Sequence, residues 1–248
     1  MREQRLVFGE VADEYDAVRA GYPAALVEDV FRYAGGVPGR VVEVGAGTGK
    51  ATAAFRARGV PVTCVEPDPA MAAILRARHP DVEVHGCRFE DWQPPQSGVP
   101  VLVSAQAWHW VDPATRRELA HRALVPGGVL ALFGHEYAFA DPHVEAAVNA
   151  AYARHAPELL HDPDRWMHAE LADTPLFTDV TTREYESVVP YPTAAYLSLL
   201  STFSPHRMLP EDRRATLLHA IGEVIDAHGG VLRQRLETLL VLGRRAPD

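Results

Sequence analysis

Glu43, Gly45, Gly47 and Gly49 occupy alternate positions in the segment Arg40-Val-Val-Glu-Val-Gly-Ala-Gly-Thr-Gly-Lys50, and no other stretch carries so strong a chemical signal. The apolar run Val41 to Val44 reads as a buried strand, and Thr48 onward reads as the start of a helix. A strand that turns through glycines into a helix lets backbone approach a nucleotide-like ligand closely, and the helix start adds free N–H groups and partial positive charge. Three ligand classes use turns of this kind. A phosphate-binding loop needs G-x-x-x-x-G-K-[ST]; Gly49-Lys50 fits, but Val44 and Ala51 break the pattern. The dinucleotide pattern G-x-G-x-x-G is met by Gly45 and Gly47 and broken by Lys50. An acid-led x-G-x-G-x-G pattern is met in full, and a glycine turn that holds no ligand is the remaining reading.

Further groups able to do chemistry follow at regular intervals. Glu66 comes 17 residues after Gly49, near the spacing at which an acid accepts both ribose hydroxyls of a nucleoside; capping the helix that follows is its other reading. Phe89-Glu90-Asp91 offers a flat apolar face beside two acids, either of which can point inward. Gln106-Ala-Trp108-His109-Trp110 sets a histidine between two tryptophans. His109 reads either as a proton acceptor for a hydroxyl or as a structural histidine bonding backbone.

These groups need elements to hold them. From residue 40 to 135 the pattern alternates strand and helix, with strands expected at 41–45, 61–66, 82–87, 100–105 and 128–134. Helices are expected near 48–58, 68–79 and 112–123, with a short turn at 90–95. Alternation of this kind predicts an α/β fold, a mostly parallel sheet with helices on both faces. Each candidate group then falls at a strand C-terminus, where ligands sit on such sheets. Two helices are expected over residues 8–34, the second opened by Pro23, and a helical insertion over 142–174. Helices near 193–202 and 211–227 join a strand at 180–189 to a last one at 231–244.

With the glycine segment, this order of groups resembles the class I S-adenosylmethionine-dependent methyltransferases. The resemblance covers residues 8–134 motif by motif and the remainder in outline. It implies a Rossmann-like seven-stranded sheet, mostly parallel with the last strand antiparallel, and S-adenosylmethionine as cofactor. It places Glu43, Gly45, Ala46, Gly47 and Gly49 around that cofactor, Glu66 on its ribose, and Pro67 and Met71 beside the adenosine. It further places Phe89 on the adenine ring, Glu90 or Asp91 on the adenine amino group, and Ala105 and Gln106 near the sulfonium. Trp108, His109 and Trp110 become the floor of the acceptor pocket, similar to the His-Trp step of small-acid carboxyl methyltransferases. The leader Phe8-Gly-x-x-Ala12-x-x-Tyr15-Asp16-x-x-Arg19-x-Gly21-Tyr22-Pro23 is similar to the family's lid, so Tyr15, Arg19 and Tyr22 are expected to close on ligand. Tyr137 and Phe203 join the acceptor pocket. The enzyme so implied methylates a small molecule at oxygen or nitrogen, a carboxylate included. A cofactor-binding partner without activity and an NAD-dependent oxidoreductase are the rival readings.

Composition limits the remainder. A chain of 248 residues suits a single domain, here expected as lid helices over 1–39, a cofactor core over 40–135, and insertion, lid helices and final strands over 136–248. A net charge of −9, with arginines scattered, disfavours a nucleic-acid partner. No apolar run approaches the ~20 residues that span a bilayer, and the first residues lack a signal-peptide core, so a cytoplasmic location is expected. Cys64 and Cys87 are expected as reduced, buried small hydrophobes. The histidines show no H-x-x-x-H or H-E-x-x-H step, so no metal is expected.

Overall fold

The structure is a computed structural model that describes residues 18–160 and 166–247. Tyr15 and the leader before residue 18 lie outside the described residues. The elements in chain order are α1 (Ala24–Ala34), β1 (Val41–Val44), α2 (Lys50–Arg56), β2 (Val62–Val65), α3 (Pro69–Arg78) and β3 (Glu83–His85). There follow β4 (Val99–Ala105), α4 (Arg116–Ala123), β5 (Leu124–Phe139), α5 (Pro142–His155), α6 (Trp166–Ala172) and β6 (Phe177–Pro192). The chain ends with α7 (Thr193–Ser201), α8 (Ser204–Met208), α9 (Glu211–Ala227) and β7 (Val231–Arg245).

The seven strands form one sheet in the order β3-β2-β1-β4-β5-β7-β6. Parallel registers join β1 to β2 and β4, β2 to β3, and β4 to β5. The last strand is antiparallel: Ala246 N–H donates to Leu176 O at 2.9 Å, whereas at the other end of the pair Thr193 N–H donates to Gly230 O at 3.1 Å. Alternation along the strands separates two cores. Val41, Val101, Val103 and Phe133 face one cluster with Leu240 and Leu242, and Val42, Leu102, Leu132 and Val241 face the other. Strands buried on both faces explain why β1, β2 and β4 read as nearly unbroken apolar runs.

The chain divides into two compact units. Among the described residues, one comprises 21–135, 166–185 and 238–247, and the other 18–20, 136–160 and 186–237. The first holds the parallel part of the sheet. The second is built on Val148, Tyr196, Leu199, Leu217, Ile221 and Ile225, which cluster from α5, α7 and α9.

Several expectations need correction. Helix α1 is no lid: Leu26, Val27, Val30 and Phe31 are buried in the core cluster that includes Val41 and Phe55. It ends where Gly35 turns left-handed at φ 86°, with the Gly35 and Gly36 N–H groups closing back on Arg32 and Phe31. Strand β5 is longer at both ends than 128–134, because Pro126-Gly127-Gly128 forms an irregularity inside it and β7 pairs beyond it, Ala140 N–H donating to Arg233 O at 3.0 Å. Pro157 interrupts the expected insertion with a 3-10 turn, and α8 was not expected. Cys64 is buried as expected, but Cys87 is half-buried in the turn after β3.

Candidate cofactor site

Three strands end side by side and hand their chains to the same edge. Val44 pairs with Val65 at the last register of β1 and β2. Beyond it Gly45 N–H donates to Val65 O at 2.8 Å, Glu66 N–H to His85 O at 3.0 Å and Gln106 N–H to Phe133 O at 2.9 Å. The glycine turn, the acid and the Gln106 segment are thus all fixed by sheet pairing.

The three glycines answer different demands. Gly45 has φ 69°, and a Cβ placed on it would lie 2.3 Å from the Ala107 Cβ. At Gly49, with φ 92°, a Cβ would lie 2.6 Å from Leu75 Cδ1, so this glycine lets α2 approach α3. Gly47, with φ 57°, faces open space, with no atom within 4 Å of an added Cβ. Gly45 and Gly49 serve the fold, and Gly47 keeps a bare backbone face. Ala46 packs its methyl into the core, at 5% exposure.

Glu66 lies against that bare face. Its Oε2 accepts the Gly47 N–H at 2.7 Å and its Oε1 accepts the Asp68 N–H at 2.8 Å. Each oxygen thus has one partner and keeps a second lone pair, and two such acceptors match the two hydroxyls of a ribose diol. The helix-capping role belongs to Asp68, which accepts from Ala70 and Met71 N–H at the start of α3. Pro67 is exposed and Met71 buried at the same corner. The residues present therefore fit an adenosyl ligand.

Glu43 stands below the turn. It is 1% exposed and its Oε2 accepts the Thr52 hydroxyl at 2.5 Å, which ties β1 to α2. It lies in the interior and joins the strand before the turn to the helix after it. Burial pushes the Glu43 carboxyl up to about 8 and that of Glu66 up to about 7. A ribose O–H donates best to a charged carboxylate. Cofactor affinity is therefore expected to be full above pH 7 and to weaken as pH falls through that value, a trend that calorimetric titrations between pH 5.5 and 8.5 will register. Protein stability without ligand runs the other way. The folded state retains protons that unfolded carboxyls release near the ordinary value, so stability declines as pH rises from there toward 7 to 8.

The turn after β3 is tied to its surroundings at each of the three candidate positions. Phe89 is 4% exposed and packs against Trp92 and Trp108 at ring distances of 6.0 and 5.8 Å. Glu90 Oε1 accepts the Asp112 N–H at 3.0 Å, and exposed Asp91 pairs with Arg88 at 3.0 Å. Both acids thus already have partners in the chain. Trp108 is no pocket floor but core, 2% exposed, its Nε1–H donating to Glu170 at 3.0 Å.

His109 and Trp110 remain outside that core. The His109 ring stands 4.6 Å from Trp110 and 6.3 Å from Trp166, edge-on to the latter. Although its side chain is exposed at one edge, desolvation of the part packed inward, then the Arg116 charge, hold its pKa below the usual range, so the imidazole is neutral at pH 7. Ala105 and Gln106 are half-buried, and Gln106 adopts φ 51°, uncommon for a residue with a side chain. Its Nε2–H donates to His135 O at 3.1 Å, and a Cβ on Gly134 would strike its Cγ at 2.9 Å. Tyr22 stacks on His135 at 4.6 Å.

In the helical unit, Arg19, Tyr137 and Phe203 come together. The Arg19 Nε–H donates to Thr202 Oγ1 at 3.1 Å, its guanidinium lies 4.6 Å over Phe203, and Tyr137 meets Phe203 edge-on at 5.1 Å. Sequence reasoning missed Arg116, Glu170 and Trp166, which surround the Trp108–Trp110 turn. Trp166 and Glu170 sit on a helix 56 or more positions beyond that turn, with only a short-range charge pattern to mark them. Among the described residues, no group of three or more metal-ligating side chains occurs, and no helix is long and apolar enough to cross a membrane.

Residues 41–128 match the family model described as a methyltransferase domain. Uncharacterized methyltransferases of Mycobacterium tuberculosis and Mycobacterium bovis are 37% identical over 131 residues, which is 53% of this chain and 53% of theirs. The chain thus spans about half the length of the curated relatives it matches. Among solved structures, a protein of Anaeromyxobacter dehalogenans whose name proposes a type II methyltransferase is 26% identical. Its TM-score is 0.70, over 93% of this chain and 99% of that one. A Haemonchus contortus phosphoethanolamine N-methyltransferase, solved with S-adenosylhomocysteine, is 12% identical with a TM-score of 0.55 over 96% of this chain and 58% of its own, a likeness of fold. The matched stretch covers the first crossover, its glycine turn and Glu66, on a sheet of order 3-2-1-4-5-7-6, so this part of the chain is similar to a methyltransferase domain.

Proposed function

We propose that this protein transfers a methyl group from S-adenosylmethionine to a small-molecule acceptor, at oxygen or nitrogen, a carboxylate oxygen included. The observation that carries the reading is the Glu66 carboxylate, 2.7 Å from the N–H of the one glycine in the turn whose face is open. The cofactor supplies an activated methyl on a sulfonium sulfur, so the chain has to bind, align and exclude water. Glu66 orients the sugar through its two spare lone pairs. The backbone of Gly47 allows close approach. Gln106, held in its unusual conformation by His135 O, fixes the course of the chain after β4.

His109 takes the acceptor's proton. A neutral imidazole nitrogen receives it from a hydroxyl as that oxygen attacks the methyl carbon, or from an ammonium group whose nitrogen lone pair is thereby freed to attack; a carboxylate oxygen attacks with no proton to give up. His109→Ala is expected to leave cofactor affinity within about twofold and to lower turnover about 10²-fold, in the range general-base removal produces. Calorimetry and initial rates measure the two separately. The acceptor class is tested by screening hydroxy acids, phenols and amines for S-adenosylhomocysteine release. Release with one class carries the proposal, and cofactor binding with no release from any of them contradicts it.

A further inference from the structure

The turn that carries His109 is clamped from a distance. Helix α6 sends Glu170 into the interior of the sheet-containing unit, where its side chain is 4% exposed. Its Oε1 accepts Arg116 Nε–H at 2.7 Å and the Trp108 indole N–H at 3.0 Å. Its Oε2 accepts from Arg116 Nη2 at 2.6 Å and from Arg117 Nη2 at 3.3 Å. Arg116 in turn donates through Nη1 to Trp108 O at 3.1 Å and to Val111 O at 3.5 Å, and its guanidinium lies 5.2 Å over the Trp166 ring. Both ends of the Trp108–Trp110 turn are therefore tied to one ion pair, and so is the ring that stands edge-on to His109. His109 is the turn's exposed side chain.

Stability alone does not call for this arrangement. A well-packed apolar pair of similar volume holds a core at least as well as a buried ion pair. An apolar pair has no means of bonding the Trp108 carbonyl or the indole N–H, so what the charged groups add is geometry. We propose that Arg116 and Glu170 are positioning residues of the methyl transfer: their ion pair fixes the turn and, through it and Trp166, the place of the His109 imidazole. This rests on the reading in which His109 receives the acceptor's proton.

The charged groups around the turn are Arg116 and Arg117 on α4, Glu170 on α6, and Glu90 and Asp112 at the turn's far end. Burial pushes the Glu170 carboxyl up, but the bonds from Arg116, Trp108 and Arg117 outweigh it and keep the group below its ordinary value, hence charged. The Arg116 cation opposes protonation of His109, and the Glu170 carboxylate pairs with that cation at 2.6 Å. Glu170→Gln leaves the cation uncompensated and should lower the His109 titration midpoint by about half a pH unit or more. Arg116→Met should raise it.

The full chain is titrated by NMR at the His109 ring, calorimetry with S-adenosylhomocysteine reports the cofactor site, and turnover is measured on whichever acceptor the screen identifies. For Glu170→Gln we expect the shifted midpoint, a kcat about tenfold lower and a KM for S-adenosylmethionine within twofold of the parent. A lower melting temperature with an unmoved His109 titration and unchanged kcat overturns the proposal. Should Glu170→Gln fail to fold, Trp108→Phe decides, since it deletes the Nε1–H bond and keeps an aromatic ring in the core. A shifted His109 resonance with kcat reduced severalfold supports the clamp, and parental values of both overturn it. The ring titration reports the clamp alone and the calorimetry reports cofactor binding alone, so failure of either idea is seen separately.

Discussion

Glu66→Gln is expected to weaken S-adenosylmethionine binding by about 10²-fold in a protein that remains folded. The carboxylate meets two N–H donors, from Gly47 and Asp68, one on each oxygen. A glutamine amide accepts one of them and turns its NH2 toward the other, donor against donor. The spare lone pairs available to the ribose fall from two to one. Charge-assisted bonds of this kind contribute about 1.5–3 kcal/mol each, and a loss of roughly 3 kcal/mol is about 10²-fold in affinity. The fold tolerates the change because it also removes a buried carboxylate whose ionisation burial opposes. Calorimetry against the parent, with circular dichroism as a control, gives the answer. Equal affinities would deny Glu66 its place on the sugar.

Gly45→Ala should act on stability instead. The added methyl meets the Ala107 Cβ at 2.3 Å, and the residue must hold φ 69°. Overpacking and the left-handed conformation together cost about 3–4 kcal/mol. For a chain of this size that corresponds to a fall of roughly 10 °C in melting temperature. Ala107→Gly in the same chain removes the clash and leaves the backbone strain, so it is expected to restore about half the loss. Thermal unfolding of the single and double variants measures both. Gly47 gives the contrast: its alanine variant meets no neighbour at all, so it should lose far less stability and more cofactor affinity.

The contrast between these glycines shows what the sequence could and could not reveal. The alternating pattern announced a turn of one kind, and the seven-stranded, mostly parallel sheet with its last strand antiparallel follows the expectation drawn from strand–helix alternation and the resemblance. Which glycine faces a ligand depends on Ala107 and Leu75, residues from other elements, and no local pattern encodes that. Trp108 misled for the same reason. A tryptophan at a strand end suggests chemistry, but its neighbours Phe89 and Glu170 come from segments 19 and 62 positions away and make it core. Helix α1 looked like part of a lid by its place in the chain. Its four buried side chains show it to be a layer on the sheet. The Arg116–Glu170 pair was invisible because its partners are set by tertiary packing.

The site is compact enough that one titration tests it. S-adenosylmethionine added to the full chain at pH 8, above the value to which burial raises Glu66, is predicted to give a saturable heat with one site per chain, much reduced in Glu66→Gln. Absence of binding by the parent protein at cofactor concentrations near millimolar would contradict the account at its root.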